Sequence, residues 1–164
     1  AEALALRGRI AIANAKLAYG SFRERFQRPD FELQRRRGAR VQRPLWASTS
    51  TKNPDYPQVL YVESLIGRDT VNTLPPATLD AFQTQGEMRA TLEQDSGRAE
   101  KELRSLAELG VDLAQVAEEL EHDGIARFAD SYDALLALLD HKRFEVSREY
   151  ASGEVQPPAH GTPL

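Results

Sequence analysis

The stretch "LWASTSTKNP", residues 45–54, sets a short apolar run and four hydroxyls directly before Lys52, Asn53 and a proline. Hydroxyls donate hydrogen bonds to an anion and an ammonium supplies charge without a metal, so Ser48, Thr49 and Lys52 suit a phosphate or a sugar. The same composition also makes an ordinary Ser/Thr-rich turn. Asn72, within "DTVNTLP", is placed either to reach the mouth of such a site or to cap the turn after it. Three histidines, His122, His141 and His160, are scattered without metal-ligand spacing, and cysteine is absent. Thiolate zinc sites, thiol nucleophiles and disulfides are thereby excluded, and neither a metal nor a cofactor is expected. Glu118, Glu119 and Glu121 read as a solvated helix face, and Trp46 as core rather than a substrate platform.

Around these residues lies a chain of 164 residues, the size of one ordinary domain, able to bury a core without disulfide staples. No apolar run approaches the roughly 20 residues of a membrane helix, and no charged segment leads into an apolar signal core. No membrane partner is expected, and the missing cysteines lean toward a cytoplasmic protein. The net charge of −4 hides an asymmetry: residues 1–44 carry 11 basic and 4 acidic side chains, residues 45–164 carry 10 and 21. Arg35, Arg36 and Arg37 invite a nucleic-acid reading, yet no aromatic platform or nucleic-acid motif accompanies them, and they read as a solvated helix end.

"AEALALRGRIAIANAKLAYGSFRERF" places Leu6, Ile10, Ala13 and Leu17 at helical spacing, which predicts one amphipathic helix facing a core. It begins at Ala1 with no capping residue, as it would in a piece of a longer chain. Pro29 and Asp30 are expected to interrupt, a short helix to follow through "FELQRRRG", and Gly38 to end it. Residues 45–47 predict a fully buried parallel strand and residues 70–73 a second strand. Between them "DYPQVLYVESLIG" reads as a loop into a short helix, and Pro76 fits the first turn of another. A helical pattern runs from Glu87 to Leu109, with a break near residues 95–97. Asp112 and Gln115 then make a capping-box-like pair before the stripe of Leu113, Val116, Ala117 and Leu120. A turn is expected at Asp123 and Gly124, and a last helix over residues 130–143. Residues 145–164 lose periodicity, gather Gly and Pro, and read as a flexible tail or linker. Two strands cannot close a barrel by themselves.

Residues 45–53 together with "GRDTVNTLPPATLDAF" resemble the C-terminal part of transaldolase, of the subfamily found in actinobacteria and their relatives. "EALALRGRIAIANAKLAY" is similar to the helix after the sixth barrel strand of that family, and "LGVDLAQVAEELEHDGIARFADSYDALL" to its closing helices, so the likeness covers about residues 1–143. The resemblance implies an α/β fold that is a partial TIM (β/α)₈ barrel, predominantly helical, over residues 1–144. Residues 45–47 would be its seventh strand and 70–73 its eighth. It implies sugar-phosphate substrates and a dihydroxyacetone transfer through a Schiff base on lysine. The loop after a seventh barrel strand commonly holds a substrate phosphate, so the phosphate reading of Lys52, Ser48 and Thr49 gains on the turn reading, with Asn72 at the site mouth. Nothing here corresponds to the family's Schiff-base lysine on the fourth strand, which stands in an apolar-Lys-apolar-Pro-Ala context. An exposed lysine such as Lys52 is a poor substitute, being almost wholly protonated at neutral pH, so no catalytic residue is assigned and the chain alone is expected to be inactive. Two other readings stand beside this one: a non-catalytic helical interaction module descended from such a barrel, and the junction part of a transaldolase fused to glucose-6-phosphate isomerase. The sequence carries no reading of oligomeric state.

Overall fold

The computed structural model describes residues 2–152, so residues 153–164 of the stretch read as a flexible tail or linker lie outside the described residues. The elements are α1 (Glu2–Ala5), α2 (Ile10–Gln27), α3 (Pro29–Arg36), β1 (Leu45–Trp46), α4 (Leu60–Ser64), β2 (Val71–Asn72), α5 (Pro76–Gln85), α6 (Ser96–Glu108) and α7 (Leu113–Ser152). They form two units, Ala1–Val111 and Asp112–Leu164.

In the first unit the expected single N-terminal helix is two. The chain turns over residues 6–9 because Gly8 adopts φ +73°, and a Cβ there would meet the Tyr56 ring at 3.2 Å. A left-handed backbone in close contact with an aromatic ring is a position that favours glycine. Pro29 opens α3 as its first helical residue rather than interrupting, since its missing N–H lies where no intrahelical partner exists. Gly38 ends α3 as expected: at φ +98° it donates to the Arg35 carbonyl while Ala39 donates to Gln34, the paired bonds of a Schellman cap. Pro76 likewise starts α5.

The core gathers on α2. Tyr19, Leu65 and Leu92 form its buried cluster, with Ile12, Ala15, Phe22 and Trp46 packed against it. The rings of Tyr19, Phe22, Phe26 and Phe31 follow one another at 5.8, 5.1 and 4.6 Å, carrying the packing from α2 into α3. Lys16 Nζ donates to the carbonyls of Thr91 (3.0 Å) and Gln94 (2.8 Å), while Arg9 pairs with Glu102 at 2.6 Å. These contacts accompany a departure from the periodicity: of residues 87–95, expected as helix, 87–91 are irregular and 92–95 form a turn, whose Gln94 carbonyl, with that of Thr91, accepts from Lys16 while Leu92 fills the core. Helix α6 begins only at Ser96.

β1 and β2 form a parallel pair joined through α4. β1 is not the fully buried strand expected. Leu45 is 53% exposed, since successive side chains of a strand face opposite ways and only the Trp46 side meets the core.

Among the described residues the second unit consists of the long helix α7 and its cap. Asp112 caps it, its Oδ1 accepting from the backbone N–H of Ala114 (2.8 Å) and Gln115 (3.4 Å). The Gln115 side chain donates forward to Glu119, so only half of the capping box forms. No turn occurs at Asp123 and Gly124. One glycine costs a helix about 1 kcal/mol, which good helix formers on both sides outweigh, and Arg127 pairs with Asp123 across this point at 2.9 Å. The helix also continues through Ser152, past the expected end at Arg143, because "EVSREYAS" contains neither Gly nor Pro. Thus residues 145–152, expected within a tail, are helical. Glu118, Glu119 and Glu121 are exposed along it, as are Arg35, Arg36 and Arg37 on the first unit. No helix among the described residues is long and apolar enough to cross a membrane.

Candidate functional site

The pairing of β1 with β2 is in register Leu45 to Val71 and Trp46 to Asn72. Backbone bonds from Val71 N–H to the Pro44 carbonyl (2.9 Å) and from Thr73 N–H to the Trp46 carbonyl (3.0 Å) hold it at both ends. Because the strands are parallel, their C-terminal ends share one edge. The loop of residues 48–52 leaves β1 there, and Asn72 is the last residue of β2.

Thr49 is 4% exposed, and its Oγ1 donates to Asn72 Oδ1 at 2.8 Å across 23 residues of sequence. A threonine hydroxyl has one hydrogen, so while this bond stands Thr49 has none to give an anion. Ser48, by contrast, is exposed and takes φ +57°, a left-handed conformation uncommon for a residue with a Cβ. Lys52 is exposed, and Ser50 and Thr51 are half-buried. Just beyond, Asn53 Oδ1 accepts from Asp55 N–H (3.0 Å) and its carbonyl from Tyr56 N–H (3.1 Å), a side-chain-supported turn around Pro54 that fixes where the loop goes after Lys52. Of the residues expected at a site, the fold therefore gathers Ser48, Thr49 and Asn72 at one edge, with Lys52 on the same loop. Beside them a groove of about 380 Å³ runs between α2 and β1, lined by Ala15, Ala18, Trp46, Ser48, Thr49 and Tyr61 among others. Trp46 packs against the core as expected, although among the described residues its Nε1 has no hydrogen-bond partner.

A second polar cluster escaped the sequence reading. The buried Tyr19 hydroxyl lies 3.1 Å from the Arg68 carbonyl and 3.3 Å from Glu93 Oε1, and Arg23 pairs with Glu93. Burial, and after it the Glu93 carboxylate, pushes the Tyr19 pKa up from its ordinary value, against an opposing pull from Arg23. The available signal was Tyr19 itself, a hydroxyl on an apolar helix face that needs a partner when buried. Among the described residues no group of three His, Asp or Glu side chains is placed to hold a metal ion.

The transaldolase/fructose-6-phosphate aldolase pattern matches residues 1–139. A transaldolase of Thiobacillus denitrificans is 52% identical over 136 residues, covering 83% of this chain and 38% of that protein. Transaldolases of Neisseria meningitidis serogroup A (46% over 134 residues, 82% and 38%) and Mycobacterium leprae (44% over 137 residues, 82% and 36%) match similarly. The chain thus spans little more than a third of the length of these relatives. The family match spans the helices before β1, the loop, β2 and the first part of α7, and by it the chain belongs to the transaldolase/fructose-6-phosphate aldolase family.

Proposed function

We propose that residues 1–144 are the C-terminal part of a transaldolase barrel, with β1 and β2 as its seventh and eighth strands. In the whole enzyme a dihydroxyacetone unit passes between sugar phosphates of the pentose phosphate pathway, from sedoheptulose 7-phosphate to glyceraldehyde 3-phosphate, giving erythrose 4-phosphate and fructose 6-phosphate. This segment supplies part of the phosphate site from Ser48 and Lys52, in a soluble, cytoplasmic protein. The Schiff-base lysine belongs to a part of the barrel that this sequence lacks. The observation that carries the reading is the parallel pair, which sets the Ser/Thr/Lys loop and Asn72 at one strand edge within a segment matched throughout by the family. Loops at the C-terminal edge of barrel strands are where such enzymes bind phosphate.

The role of Lys52 is tested in a complete enzyme carrying this segment. One ammonium contact to phosphate is charge-assisted, so Lys52→Ala is expected to raise the KM for phosphorylated acceptors by about ten- to a hundredfold while sparing Schiff-base formation. Equal damage with non-phosphorylated acceptors would assign Lys52 to loop integrity instead. For the chain by itself, borohydride trapping with fructose 6-phosphate is expected to leave the mass unchanged, because Schiff-base chemistry needs an activated lysine with acid/base partners. A covalent adduct on Lys52 would contradict this.

A further inference from the structure

The Asn72 amide turns its Oδ1 toward the Thr49 hydroxyl, which donates to it, so the two ends of the amide face different surroundings. A carboxamide has an acceptor end, Oδ1, and a donor end, Nδ2, with two N–H groups. Thr49 Oγ1 is itself 2.8 Å from Oδ1 and is buried, while Asn72 is half-buried at the last position of β2. The end of Asn72 left to meet a ligand is thus the donor end. Phosphate and sugar hydroxyl oxygens accept from such an N–H. Were the amide reversed, its carbonyl would face the phosphate and repel it.

We propose that Thr49 is a positioning residue that fixes the Asn72 amide so that Nδ2 donates to an oxygen of a bound sugar phosphate. Thr49 then contributes through Asn72 and not as a direct phosphate ligand, and the sequence reading of Thr49 in contact with phosphate is replaced. The same bond ties the loop of residues 48–52 to β2, holding Ser48 and Lys52 at the strand edge. The proposal rests on the sugar-phosphate reading for the identity of the ligand, whereas the orientation of the amide stands independently of it.

The experiment uses an isotope-labelled complete enzyme carrying this segment and follows by NMR the Asn72 side-chain NH2 resonances and the loop backbone amides, without ligand and with inorganic phosphate, fructose or fructose 6-phosphate. Without ligand, Thr49→Ser keeps the hydroxyl and is expected to leave the Asn72 NH2 pair where it is in the parent chain. Thr49→Val, of similar volume without the hydroxyl, is expected to move that pair toward the positions of exposed asparagines. An unmoved pair in Thr49→Val overturns the positioning role. With fructose 6-phosphate, the pair is expected to shift in the parent chain and in Thr49→Ser. Asn72→Ala removes the donor without adding a charge beside the phosphate, and is expected to weaken fructose 6-phosphate binding at least tenfold while leaving the dispersion of the core resonances intact. Loop amides that respond to fructose 6-phosphate while the Asn72 pair does not would overturn the donor role. If none of the added ligands moves the loop amides, the sugar-phosphate reading and the donor role fall together, and the ligand-free comparison of Thr49→Val with Thr49→Ser still decides the positioning role.

Discussion

Tyr19 is 3% exposed on α2, with its hydroxyl against the Arg68 carbonyl and the Glu93 carboxylate. Removing the hydroxyl strands both acceptors, and Tyr19→Phe is expected to lower stability by about 1 kcal/mol at neutral pH. The same side chain sets an alkaline limit. Its folded-state pKa lies above the ordinary value near 10, so the native state holds the phenolic proton more tightly than the unfolded chain. Where the unfolded state binds fewer protons, stability falls with rising pH. The contribution is therefore complete below about pH 10 and is lost as pH rises from there toward the raised folded value. Denaturant unfolding measured from pH 8 to 11 is expected to show this loss in the parent chain and a shallower one in Tyr19→Phe. Parallel profiles would mean that the alkaline loss arises elsewhere.

Two glycines in unlike elements have opposite expected responses to alanine. Gly67 follows α4, and a Cβ there would stand 2.7 Å from Leu92 Cδ2 and 2.9 Å from its Cβ. Leu92 is fully buried in the core cluster and has no room to give way. Gly67→Ala is therefore an overpacking change expected to cost about 1–3 kcal/mol. Gly124 sits within α7, and a Cβ there would meet nothing within 4 Å. Gly124→Ala is expected to stabilise that helix by about 0.5–1 kcal/mol, because alanine loses less backbone entropy. Circular dichroism decides the second case: a stronger helical signal fits an unbroken α7, and a weaker one would indicate a turn that uses the glycine.

At the scale of the whole molecule, burial is uneven. Eight apolar side chains are buried among the described residues, all within Ala1–Val111, and α7 has none. Ile125, Phe128, Tyr132 and Leu135 are among its exposed residues. A chain spanning little more than a third of its relatives' length, with so small a core, has little apolar burial to offset the entropy of ordering. The chain alone is therefore expected to bind an apolar dye and to melt broadly. Replacing Phe128 and Leu135 together by lysine is expected to reduce dye binding while the helical signal persists. A sharp cooperative melt without dye binding would favour the self-sufficient helical module over the barrel segment.

The residues by themselves determined what depends on near neighbours. Pro76 at a first helical turn, Gly38 at a helix end and Asp112 as a cap follow from fixed φ, a missing Cβ and a short carboxylate, each acting within a few residues. The helix–strand–helix order around "LWASTSTKNP" and "DTVNTLP", and with it the family, was legible in the same way. Where balance mattered, local signs misled: Gly8 breaks a helix because Tyr56 packs on it, whereas Gly124 breaks none because strong helix formers flank it. Only the tertiary structure decided that Thr49 meets Asn72, that Tyr19 meets Glu93 and that residues 87–95 are non-helical, with two of their carbonyls on Lys16. Each of these joins groups dozens of residues apart through strand register or core packing, and neither composition nor period encodes which distant partner will satisfy a buried polar atom.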